Sequence, residues 1–151
     1  MQKPPIDPKE KFLNKPMLRR LFLGAISLFV AVTTTYLIAY FLVPIEGTPK
    51  QVVTYSRTVA FATWMFGHIF LALNFRSERE PLIKEGLLSN KVMFLWALVA
   101  FVTLILGTSI PVIQTSLQIT SLSLQDYVLV IAVPFVTTFW MELAKILHKS
   151  A

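Results

Sequence analysis

Few side chains in this sequence can do chemistry, and one of them sits where chemistry is costly. His68 lies near the middle of an 18-residue run, Thr58–Phe75, that holds no Lys, Arg, Asp or Glu. If that run is buried in a bilayer, its one ionisable group is a functional candidate by default. With no carboxylate near it in sequence, the imidazole can stay neutral and donate one hydrogen bond to a neighbouring helix. The other reading is ion coordination or proton handling. Its helical neighbours Phe61, Trp64, Ala72 and Phe75 offer no second ligand. An ion site at His68 therefore needs other helices or another part of a longer chain.

The remaining candidates have plainer readings. Glu142 and Lys145 are three apart and can pair on one helix face. Near a helix end that is a snorkelling ion pair; the alternative is contact with a partner domain. Thr33, Thr34 and Thr35, with Ser27 two turns earlier, can bond back to helix carbonyls. Thr63 and Gly67 form a small-xxx-small pair that lets two helices approach closely.

Most other chemistry is excluded. The chain has no cysteine, so disulfides, thiolate nucleophiles and Cys-based metal sites are impossible. Two histidines, His68 and His148, are too few and too far apart for a zinc site. There is no Gly-rich phosphate loop, no phosphorylation motif and no nucleophile–base pair. No catalytic residue, metal or cofactor is expected in this chain.

The elements that must position His68 follow from composition. Of 151 residues, 55% are hydrophobic and 15% charged, where soluble domains run near 25% charged. A chain this short cannot bury so much apolar surface in its own core, but a bilayer can take it. Residues 1–20 read as a polar, proline-rich lead-in, with no cleavable signal peptide. The spans are expected at about 21–43, 58–75, 92–113 and 127–147, followed by a short tail, 148–151. Pro111 marks the end of the third span or a kink near it. The expected fold is all-α and integral to the membrane: four transmembrane helices in two helical hairpins.

The net charge of +6 is clustered between apolar runs, which speaks for membrane topology and against a nucleic-acid-binding face. On alternate sides of the four spans the connections hold twelve and two Lys or Arg. The positive-inside rule then places both termini and the middle loop in the cytoplasm. Glu46 and Asp126 fall on the outer side, and Asp126-Tyr127 fits an interfacial start to the last span. The expected location is a multi-pass membrane position, the plasma membrane if the source is prokaryotic.

Three stretches carry a family resemblance. PPIDPKE (4–10), followed by a basic step and a long apolar run, resembles the cytoplasmic loop after the sixth membrane helix of cation-transporting P-type ATPases. RTVAFATWMFGHIFLALNFRSEREPL (57–82) is similar to their eighth helix and the loop after it. PFVTTFWMELAKIL (134–147) resembles their tenth helix, with its proline and late E-x-x-K. Their order and spacing fit helices seven to ten, the C-terminal membrane domain, of a calcium-pump-like ATPase.

The resemblance implies that these helices support ion-carrying helices lying earlier in such a pump. The partners it implies are the lipid bilayer, the remaining domains or a separate polypeptide of the pump, and its transported cation. It also implies that the chain is a piece of a larger machine, excised or split, and not an active pump alone. One eighth-helix side chain in the family can contribute to a cation site. It is a glutamate in calcium pumps of the sarcoplasmic type and a glutamine in several relatives. Aligned on Ala72-Leu73-Asn74, that position falls on His68. Imidazole is a poor calcium ligand, so this is a departure. Leu71 stands where sodium pumps place an acid. Two other readings stay open: a stand-alone four-helix transporter, although the first span lacks the embedded carboxylate that exporters use, and a non-transporting scaffold or regulatory subunit.

Overall fold

The computed structural model describes residues 15–44, 47–76 and 90–149. The lead-in up to Asn14, Glu46, the connection carrying Arg79 and Lys84, the side chain of His148 and the last two residues lie outside the described residues. Those described form five helices and no strand. Four of the helices are long and apolar enough to cross a membrane. The chain is thus a multi-pass, all-helical membrane protein.

Helix α1, Lys15–Phe41, begins before the charge-free run and takes in Arg19 and Arg20. Helix α2, Pro49–Phe75, likewise starts nine residues ahead of Thr58. Its start is set by a reciprocal cap and not by the end of the apolar run. Thr48 Oγ1 accepts from Gln51 N–H (3.4 Å), and Thr48 N–H donates to Gln51 Oε1 (2.7 Å). Pro49 occupies the first turn, where its missing N–H costs nothing.

Helix α3, Lys91–Ser109, is capped by Asn90, whose side chain accepts from Met93 N–H at 3.1 Å. It stops short of Ile113 because Pro111 forces the residue before it out of helical geometry; Ile110 is extended, at φ −95° and ψ 116°. A short helix α4, Pro111–Leu117, follows and ends at Gln118 in the left-handed region (φ 53°). Helix α5 runs Leu124–Lys149 with Pro134 inside it.

Helices α1, α2 and α5 pack against one another, and α3 lies at the edge against α2 and α4. Half (50%) of the apolar stretch of α2 is buried, against 17% for α3. The α1–α2 and α2–α5 seams rest on small residues. A Cβ on Gly67 would lie 2.3 Å from Leu28 Cδ1 of α1 and 3.5 Å from Pro134 Cβ of α5. A Cβ on Gly24 would lie 2.6 Å from the Phe75 ring. Thr63, one turn before Gly67, is fully buried, as a small-xxx-small pair requires. The buried hydroxyls are satisfied locally: Thr35 donates to Ala31 O (3.1 Å), Thr63 to Val59 O (2.9 Å) and Thr138 to Pro134 O (2.6 Å).

Overpacking a close seam typically costs about 1–3 kcal/mol. Gly67→Ala should lower the thermal midpoint of the detergent-solubilised protein, followed by circular dichroism. Adding Leu28→Ala, which removes the methyl in the way, should recover part of the loss. A Gly67→Val protein as stable as the wild type would show that the seam is not close.

Candidate functional site

His68 sits on the outward side of α2, half-buried. Its Nδ1 lies 2.9 Å from the carbonyl oxygen of Trp64, one turn earlier. A carbonyl only accepts, so Nδ1 carries a proton; in the neutral tautomer that this bond selects, Nε2 is the acceptor. The bond stays within α2, whereas the sequence reading has it reaching a neighbouring helix. The ring's own i−4 carbonyl is the acceptor within reach. The Trp64 ring packs on it at 4.4 Å between centroids, and Phe61 stacks on Trp64 at 6.0 Å. No group of three or more His, Asp or Glu able to hold a metal occurs among the described residues.

Two polar clasps fix the helix that carries His68. At its C-terminal end, Lys145 Nζ of α5 donates to the Asn74 carbonyl at 2.6 Å and to Glu142 Oε1 at 2.5 Å. The Asn74 carbonyl is one of the last-turn acceptors of α2, which have no intrahelical partner, so Lys145 caps α2 from the neighbouring helix. The Lys145 and Glu142 side chains are 7% and 3% exposed. The pair is therefore buried against α2. It does not snorkel to the surface, because the α2 terminus supplies the acceptor that water otherwise would. Asn74 Nδ2 donates to Phe70 O at 2.9 Å.

At the other end, the Tyr55 hydroxyl of α2 donates to Asp126 Oδ1 of α5. The second carboxylate oxygen accepts from Ser123 N–H (2.7 Å) and Ser123 Oγ (2.8 Å), while Ser123 Oγ accepts from Asp126 N–H (3.3 Å). This reciprocal cap starts α5. Nearby, Thr120 N–H donates to Thr58 Oγ1 at 3.1 Å. The Tyr127 and Thr108 hydroxyls meet at 2.6 Å, which ties α5 to α3.

Both clasps join residues 71 positions apart. Helices α2 and α5 therefore run parallel and in register, and the clasps lie roughly 28 Å apart at 1.5 Å per residue. That is close to the hydrocarbon thickness of about 30 Å. Sequence reasoning paired Glu142 with Lys145 but missed the reach of Lys145 to Asn74, and it missed the Tyr55–Asp126 bond. The local signal for the second clasp was Ser123-x-x-Asp126, a capping pattern that places Asp126 in the first turn of α5 but does not name Tyr55 as its partner.

Breaking a buried ion pair from one side leaves an uncompensated charge and costs about 3–5 kcal/mol. Lys145→Met should lower the thermal midpoint sharply, and adding Glu142→Gln should restore much of it. A Lys145→Met protein melting with the wild type would place the pair in water. Tyr55→Phe strands one carboxylate acceptor and should cost about 1–3 kcal/mol in the same melt.

No curated protein matches the chain. The family model described as "Cation transporting ATPase, C-terminus" matches residues 1–147 and so runs across all four long helices. The chain belongs to this family, the C-terminal membrane domain of cation-transporting P-type ATPases.

Proposed function

We propose that the chain supplies helices seven to ten of a calcium-pump-like P-type ATPase and holds the ion-carrying helices of that pump in place. The match across 1–147 is the observation that carries this reading. ATP binding and phosphoryl transfer fall to other domains of the pump, and this chain contributes no catalytic group. In this reading α1, α2, α3 and α5 are the four spans. The twelve-to-two distribution of Lys and Arg supports cytoplasmic termini, with the Asn74–Lys145 clasp at the inner border and the Tyr55–Asp126 clasp at the outer.

Within that role His68 offers its Nε2 toward the ion-carrying helices. A neutral imidazole is a nitrogen donor, unsuited to a hard cation such as calcium and better suited to a borderline transition metal or to a proton. The other ligands come from helices outside this chain. The pump would therefore differ in ion or proton handling from relatives with a carboxylate at this position.

In the complete pump, His68→Ala should change ion-stimulated ATPase activity or its pH dependence. An unchanged ion affinity and pH profile at normal folding would leave His68 only a packing role beside Trp64.

A further inference from the structure

Helix α3 shows what a lipid-facing surface of this protein looks like. Between Val92 and Leu106 it exposes Phe94, Trp96, Val99, Thr103 and Leu106 and no ionisable side chain. The outward face of α2 is different. Arg57, Phe61, Trp64 and His68 recur at steps of four, three and four, the spacing of one helix face. Phe61 and Trp64 are 41% and 46% exposed, set between a guanidinium and an imidazole. Arg57 lies half a turn from Tyr55 and can reach the interface. His68 lies roughly 16 Å deeper at 1.5 Å per residue and cannot. Turning such a group toward acyl chains is expensive, so the stripe as a whole fits a protein cover better than a lipid one.

Arg57 is exposed and makes no ion pair among the described residues. Beside it is a hollow of about 350 Å³, walled by Tyr36 of α1, Phe61 of α2, and Leu117, Gln118 and Ile119 at the end of α4. No described carboxylate lines this hollow. Apart from Arg57 and Gln118 its walls are aromatic and apolar, so few polar side chains compete for a carboxylate there.

We propose that this stripe is the seam for another membrane segment of the same pump, and that the segment brings a carboxylate into the hollow to pair with Arg57. The inference rests on the pump reading above. Arg presents a planar fork that a carboxylate meets in two parallel hydrogen bonds. Trp and Arg are also the side chains that most often dominate the energy of a protein seam. The Arg57 pair sets the register of the incoming segment, and Phe61 and Trp64 supply its contact area. That register brings the segment past His68.

The test uses the complete pump in its own membrane, with the photo-crosslinking residue benzoylphenylalanine placed at Phe61 or, for comparison, at Val99 of α3. The Phe61 probe should join a membrane segment outside these 151 residues, one with an Asp or Glu near its outer border. The Val99 probe should give lipid adducts. Arg57→Gln should lower the Phe61 adduct roughly tenfold, the fold-change of one lost charge-assisted hydrogen bond, and Arg57→Lys should retain part of it. Phospholipid adducts alone at Phe61 would overturn the proposal and make a headgroup phosphate the partner of Arg57. A protein adduct lacking an acidic side chain, or one indifferent to Arg57→Gln, would overturn it equally. If a pump with ion-stimulated ATPase activity gives either result, only this inference falls. If no ATPase polypeptide accompanies the chain, the pump reading falls with it.

Discussion

Polar backbone in a bilayer must find partners within the protein, and the parallel pair α2 and α5 is built around that requirement. The α2 terminus leaves carbonyls that the helix cannot satisfy itself. Lys145 reaches one of them from α5, and Glu142 keeps the ammonium neutralised where water is excluded. The Tyr55–Asp126 bond does the corresponding work at the opposite end. With both ends pinned, the middle can come close, and Gly67 and Pro134 meet there without a polar group between them. Helix α1 then closes the bundle through Leu28 at Gly67 and through the Trp140 Nε1–H bond to Ser27 Oγ at 3.1 Å.

The third and fourth helices follow a looser logic. Leu104 and Thr108 are buried, but most of α3 faces outward and is largely apolar. Its hydrogen-bonded attachments gather at one end, where Thr108 meets Tyr127 and Gln114 Nε2 donates to Thr108 O at 2.6 Å. Pro111 makes the corner, and the left-handed Gln118 turns the chain back toward α5. In this bundle α3 is a covering helix, and α2 is the one that α1, α3 and α5 all touch.

The four apolar helices were legible in the sequence because a bilayer selects on length and hydropathy alone. So was the break at Pro111, which follows from ring sterics, and so was the close packing at Thr63 and Gly67. The helix ends were harder to read. Lys15–Arg20 and Pro49–Arg57 continue helically past the apolar runs, since caps and not charges end a helix. The clasps were out of reach for a different reason. A three-residue spacing places Glu142 and Lys145 on one face, but it does not say whether that face turns outward or onto α2. The partner of His68 shows the same limit, because its spacing is compatible with a bond to its own helix and with one to a neighbour.

The equal offset of the two clasps also bears on how the protein is made. Tyr55 and Asn74 each meet a partner synthesised 71 residues later. At ribosomal rates of about 5–20 residues per second, that is a wait of roughly 4–14 s. During it α2 carries an uncapped terminus and a narrow glycine surface, with α1 and then α3 beside it. Both bonds to α5 become available only when that last helix enters the membrane. Insertion of α5 is then the step that completes α2, whose polar ends have no α5 partner before it.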